Sequence, residues 1–254
     1  PDAPGKLEYI KFLKAKYPDI GVLNSSYNMN FNSYDELNEA DLSEITPVDH
    51  PVVEKDDEGF LVILADTYFN IASNALRETD PNHLILGDRF MTAQESQKLQ
   101  VADTILQTAA KYFDVLSFQP MGTRYMKSDY INHVFELTGK PVLFADVNCM
   151  LSRPTEGQAD TEEYETKSGE HTVKFYANAT ESPYLIGIHR CTLRDFRPYD
   201  TNYHRRGLLK ADDTPYPILF DYSKNAHRMV YEKVYGIDAS ELFEASGAIE
   251  LLNH

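Results

Sequence analysis

Cysteine, positive charge and long apolar runs are all scarce in this chain of 254 residues. The two cysteines, Cys149 and Cys191, cannot build a disulfide framework or a metal-ligand pattern, and each follows an apolar strand-like run, as small buried thiols do. Lys and Arg number 24 against 40 Asp and Glu, a formal charge of −16. Such a surface repels phosphate backbones and anionic lipid, so neither nucleic acid nor a membrane surface is an expected partner. No uninterrupted apolar run approaches the ~20 residues that span a bilayer. Also missing are a Gly-rich phosphate loop, a His-Glu-x-x-His helix and a Gly-x-Ser-x-Gly elbow, which removes support for nucleotide, zinc-protease and serine-hydrolase chemistry. No cofactor and no metal are expected. The chain opens at Pro1 without an initiator Met or a hydrophobic leader. Either processing or a longer polypeptide accounts for that, and a longer polypeptide is the expectation.

What is present is an alternation of short apolar runs with helical patterns. Leu7, Ile10, Phe12 and Leu13 recur among Lys and Glu at roughly helical spacing, which predicts an amphipathic helix ending near Pro18. Gly21 to Asn38, rich in Asn, Ser and Tyr, reads as an irregular segment, either a plain surface loop or a carbohydrate-facing one. Residues 39–59 are acidic and carry Pro47 and Pro51, so they read as a connection or insertion. Phe60 to Thr79 has a strong helical stripe, closed by Asp80-Pro81. His83 to Gly87 reads as a strand with Asp88 and Arg89 at its end. Gln97 to Tyr112 reads as a helix, Val115 to Phe118 as a strand ending at Gln119, and Asp129 to Thr138 as a helix stopped by Gly139. A long polar stretch, residues 152–169, has the composition of a loop over a site. A helix from Glu170 to Thr180, a strand from Tyr184 to Ile188 ending in His189 and Arg190, a helix from Pro217 to Val234 and a C-terminal extension over 237–254 complete the chain. Strands alternating with helices predict an α/β fold of right-handed parallel βαβ units, of which about four strands are visible, in a single domain spanning 1–254.

The central stretch is Lys140-Pro-Val-Leu-Phe-Ala-Asp-Val-Asn-Cys149, a buried-type strand that delivers one carboxylate to its carboxyl end. In parallel α/β folds that end carries the chemistry. Asp146 is either the acid of a site or a structural group that caps a helix or pairs with an Arg. The other polar residues expected on the same rim are Asp88, Arg89, Gln119, Asn148, His189, Arg190, Arg194 and Asp195. Carboxylates, amides and guanidinium groups around one rim suit a polyhydroxylated ligand.

These residues resemble a known group. Asp80-Pro-Asn-His-Leu-Ile-Leu-Gly-Asp-Arg-Phe90, Asp114-Val-Leu-Ser-Phe-Gln119, Gly139-Lys-Pro-Val-Leu-Phe-Ala-Asp146, Leu185-Ile-Gly-Ile-His189 and Asp213-Thr-Pro-Tyr216 follow the order and spacing of the second half of clan A glycoside hydrolases. The similarity is to beta-agarases of family fifty and beta-galactosidase-like enzymes of family forty-two, and it runs from about Lys6 to Val234. Leu23-Asn-Ser-Ser-Tyr27 resembles a Leu-Asn-x-x-aromatic segment of those enzymes. The resemblance implies the C-terminal half of a TIM-type (β/α)8 barrel, hydrolysis with retention by two carboxylates about 5 Å apart, Asp146 as nucleophile at strand seven, and an acid/base on a strand preceding Pro1. It implies sugar contacts from Asp88, Arg89, Gln119, Asn148, His189, Arg190 and Tyr27, and a secreted or periplasmic location. Three features depart from the pattern: Asp146 stands where Glu is usual, Arg190 stands where strand eight usually carries Trp in a chain that has no Trp, and strand six offers Gln119 in place of Tyr.

Four strands cannot close such a barrel. The expected partners are therefore a carbohydrate and either the N-terminal half of the barrel or a second copy of the chain. Two functions stand side by side: a retaining glycoside hydrolase acting on β-linked, galactose-containing glycans, and a catalytically degenerate carbohydrate-binding protein of the same fold.

Overall fold

The computed structural model describes residues 3–41, 50–91, 102–120, 128–147, 161–195 and 207–236. They form two compact units, divided between Thr79 and Asp80.

The first unit is helical. Helix α1 (Pro4–Lys16) carries its proline in the first turn, where a missing N–H costs nothing. The segment read as irregular contains two short helices, α2 (Ile20–Tyr27) and α3 (Tyr34–Glu39). Their Asp and Ser residues are caps: the Asp19 carboxylate accepts from the Gly21 and Val22 amides and the Ser33 hydroxyl from the Glu36 amide. Asn28, in the left-handed region at φ 54°, ends α2. Helix α4 (Pro51–Thr79) begins nine residues earlier than its apolar stripe suggests, with Pro51 opening it, so residues 51–59 are helix and not connection. At 29 residues α4 is long and apolar enough, by length and composition alone, to cross a membrane. It nevertheless carries Asp66 mid-length and keeps Asp56 buried near its start.

Ile10, Leu13, Leu23, Tyr27, Leu37 and Val53 make the core of this unit. Beside it, the Asp56 carboxylate accepts hydrogen bonds from the hydroxyls of Tyr17 (2.8 Å) and Tyr27 (2.9 Å) and from the Lys16 ammonium. Burial acts to raise the Asp56 pKa, but the bonds from Lys16, Tyr17 and Tyr27 outweigh it and hold the carboxyl below its ordinary value. Burial and the same cluster push Tyr27 far above the ordinary phenol range. Because folded Asp56 binds its proton less tightly than unfolded aspartate, this stabilisation is fully present above about pH 4 and drains away as pH falls through the lower folded value. In an acid titration followed by the Tyr17 and Tyr27 ring signals, the helical unit is expected to loosen below about pH 4, and Asp56→Asn is expected to flatten that dependence. An unchanged acid limb in Asp56→Asn would refute the assignment.

The second unit holds a four-stranded parallel sheet in the order β1 (Arg89–Met91), β2 (Leu116–Gln119), β3 (Val142–Val147) and β4 (Leu185–Arg190). Helices α5 (Asp103–Ala109), α6 (Ser128–Thr138), α7 (Glu162–Ala179) and α8 (Pro217–Tyr235) complete it. Sequential order of parallel strands joined through helices is the connectivity of a singly wound barrel. Val142, Phe144 and Val147 are fully buried, and the Phe144 ring packs on Phe175 of α7.

Three boundaries differ from the sequence expectation. The run His83–Gly87 is not a strand: Ile85 hydrogen-bonds through both its amide and its carbonyl to Asp114, Leu84 and Leu86 are exposed, and pairing with β2 starts only at Arg89. The helix expected over Gln97 to Tyr112 is described only as Asp103–Ala109. Residues 162–169, read as part of a loop, are the opening turns of α7, capped by the Thr161 hydroxyl. Glu165 in that stretch is buried and accepts from the Ile218 and Leu219 amides, pinning the α8 N-terminus to α7. Both outer edges of the sheet are unpaired among the described residues.

Candidate active site

Gln119 and Asp146, at the carboxyl ends of β2 and β3, are joined by Arg89, the first residue of β1. The strand register sets Arg89 beside Ser117, Met91 beside Gln119 and Phe118 beside Phe144, so Gln119 and Asp146 stand at nearly the same height while Arg89 starts two residues lower on β1 and reaches them through its long side chain. The Asp146 Oδ2 atom accepts a 2.7 Å hydrogen bond from Gln119 Nε2 and an ion-pair hydrogen bond from Arg89 Nη1, which reaches across β2. The Asp146 side chain is about one-fifth exposed, and that of Arg89 about half.

Asp146 is placed by an irregularity in the sheet. Phe144 pairs with Ile188 and Val147 with Arg190, so β3 spends three residue steps where β4 spends two. The surplus residue makes a bulge, and Asp146 sits in it with φ 60°, in the left-handed region. Asp is among the few L-residues that enter that region readily.

The other expected site residues are distributed differently. Asp88 is half-buried next to Arg89, and His189 is exposed on β4. Arg190 closes β4; burial first, and then the Arg190 charge, push His227 of α8 below the ordinary histidine range. The Arg190 Nε and Nη1 atoms are buried and meet no acceptor among the described residues. Arg194 pairs with Asp213 at 2.9 Å, while buried Asp195 accepts from the Gly207 amide (2.7 Å) and the Tyr216 hydroxyl (2.8 Å), fixing the segment after β4. Tyr27 is fully buried in the helical unit with its hydroxyl on Asp56, so its ring has no free face for a sugar. Asn148 lies outside the described residues.

Chemically, the rim offers a carboxylate with a single oxygen engaged among the described residues, an amide, a guanidinium and an exposed imidazole. No group of three or more potential metal ligands occurs among the described residues.

No family model matches the chain. Over 242 residues it is 25% identical to beta-agarase B of Vibrio sp. (strain JT0107), an alignment covering 90% of this chain and 24% of the relative. Its fold superposes on a solved exo-beta-agarase with a TM-score of 0.74 at 23% identity, over 92% of this chain and 31% of that one. A beta-galactosidase from the psychrophilic Marinomonas ef1 matches with a TM-score of 0.57 at 15% identity, over 94% of this chain and 38% of that one. The chain thus resembles agarases and, more distantly, beta-galactosidases in fold, and it spans about a quarter to a third of the length of the agarases.

Proposed function

We propose that this chain is the C-terminal half of an agarase-like glycoside hydrolase barrel that cleaves β-linked galactose-containing glycans with retention, with Asp146 as nucleophile. The observation that carries the reading is the position of Asp146: a partly exposed carboxylate at the carboxyl end of the third of four parallel strands, in a sheet that superposes on an exo-beta-agarase. A glycosidic nucleophile needs a carboxylate held in place with one oxygen free, and among the described residues Asp146 is held through Oδ2 alone.

The remaining strands, and with them the acid/base, come from polypeptide outside this sequence. The unpaired edges of β1 and β4 support that part of the reading, as do the exposed apolar side chains beside them: Leu84 and Leu86 before β1, and Ile186, Tyr231, Val234 and Tyr235 near β4 and α8. Exposed sheet edges of this kind are normally covered. A groove of about 430 Å³ runs along β4 beneath α7 and α8, bordered by Ile186, Ile188, Tyr176 and Tyr231.

The test uses the native protein purified without a tag, with its intact mass measured alongside. Hydrolysis of agar oligosaccharides and β-galactosides is followed by proton NMR of the first-formed product. A mass well above 29.0 kDa with a β-anomeric product is the expected result. Binding of the same oligosaccharides without turnover would replace this reading with the non-catalytic carbohydrate-binding one.

A further inference from the structure

We infer that Arg89 and Gln119 are positioning residues for Asp146, not sugar ligands, and that the bulged backbone of β3 is built for Asp at this position, so Glu there is the inferior residue. This rests on the proposed role of Asp146 as nucleophile and assigns the groups that hold it.

Three observations converge. Both donors meet the same atom: Gln119 Nε2 and Arg89 Nη1 both bond Oδ2, and among the described residues no donor meets Oδ1. The carboxylate is thereby oriented, with Oδ2 held toward β1 and β2 and Oδ1 left as the oxygen to be presented to a bound sugar. The backbone under it is left-handed at φ 60°, a region several-fold enriched in Asp and Asn over Glu. Finally, Arg89 lies two strands from Asp146 and two residues below Gln119, so its side chain must span both gaps to reach Oδ2 and has little length left to follow a carboxylate that moves outward. A Glu would carry its carboxyl one methylene, roughly 1.5 Å, beyond the reach of both donors while placing a less tolerant residue in the left-handed bulge. Asp146 is therefore the residue that fits the local geometry, not a shortened remnant of Glu.

The sugar-ligand role for Arg89 makes the opposite prediction. A guanidinium that binds substrate affects KM, whereas one that orients the nucleophile affects kcat.

The first measurement needs no turnover. Melting of the sheet unit is followed through carbon-13 methyl signals of Val142 and Val147 in wild type, Arg89→Met, Asp146→Glu and the double variant. Asp146→Glu is expected to melt about 2–4 °C lower despite its unchanged charge, and Arg89→Met to lower wild type but leave Asp146→Glu nearly unchanged, because the pair no longer exists there. An Asp146→Glu that melts at or above wild type, or an Arg89→Met penalty of the same size in both backgrounds, would overturn the inference. The second measurement is kinetic, on agar oligosaccharides: Arg89→Met is expected to lower kcat at least ~10-fold with KM within about twofold, Arg89→Lys to recover part of the loss, and Asp146→Glu to be slower than wild type. A rise in KM at constant kcat would return Arg89 to the sugar. Wild-type protein without turnover would sink the proposed function, and the melting comparison would then decide the positioning role independently.

Discussion

Asp146→Asn is expected to remove hydrolysis of agar oligosaccharides by at least ~10³-fold while leaving the chain folded. The reasoning separates the two effects of the substitution. Asn is isosteric with Asp, and it enters the left-handed region as readily, so the bulge between Phe144 and Val147 survives. Its amide oxygen can still accept from Gln119 and Arg89, the partners that hold Oδ2 now. What disappears is the negative oxygen that would attack an anomeric carbon. Circular dichroism and the methyl signals of Val142 should therefore be close to wild type while turnover is lost. Turnover within a few-fold of wild type would remove Asp146 from the mechanism, and loss of fold together with activity would make its role structural.

Gly169→Ala is expected to destabilise the sheet unit by about 1–3 kcal/mol, although it adds one methyl group to a helix and improves intrinsic helix propensity. A Cβ at Gly169 would come within 2.4 Å of Tyr222 Cγ and Cδ2 and 2.6 Å of Tyr222 Cβ. The atoms in conflict lie at the base of the ring, where rotation about χ2 gives no relief. Ser168 and Thr172 on α7 and Ser223 and Ala226 on α8 are also buried. Close approach of these helices is also what lets Glu165 reach the α8 amides. The helices must separate, so thermal melting should fall by several degrees. Removing the obstacle with Tyr222→Ala in the Gly169→Ala background should recover part of the loss. Additive penalties in the double variant would contradict the steric cause.

Much of the sheet could be read from the chain, because a buried parallel strand advertises itself. Val142 to Phe144 and Leu116 to Phe118 are short apolar runs between polar turns, and both are buried in the structure. Leu84-Ile-Leu86 carried the same signal and is not a strand, since its backbone is tied to Asp114 and its leucines face outward. Where composition suggested loops, in Gly21 to Asn38 and at Thr161, Asn28, Ser33 and Thr161 proved to cap helices, a role that side-chain polarity alone does not distinguish from solvation.

The site was half legible. That Gln119 and Asp146 share a rim followed from their strand-end positions, but Arg89 opens β1 instead of following a strand, and the convergence of both donors on one oxygen depends on register across three strands and on a bulge with no glycine to mark it. Tyr27 went elsewhere for a reason of partner chemistry: a buried carboxylate at Asp56 held its hydroxyl.

The most direct measurement is covalent trapping. Native protein is incubated with a 2-deoxy-2-fluoro-β-galactoside that has an activated leaving group, digested, and mapped by mass spectrometry. A fluorogalactosyl adduct on Asp146, absent in Asp146→Asn, is the predicted result. An adduct on another carboxylate, or turnover of agar oligosaccharides with no adduct at Asp146, would contradict the assignment of this residue as the nucleophile.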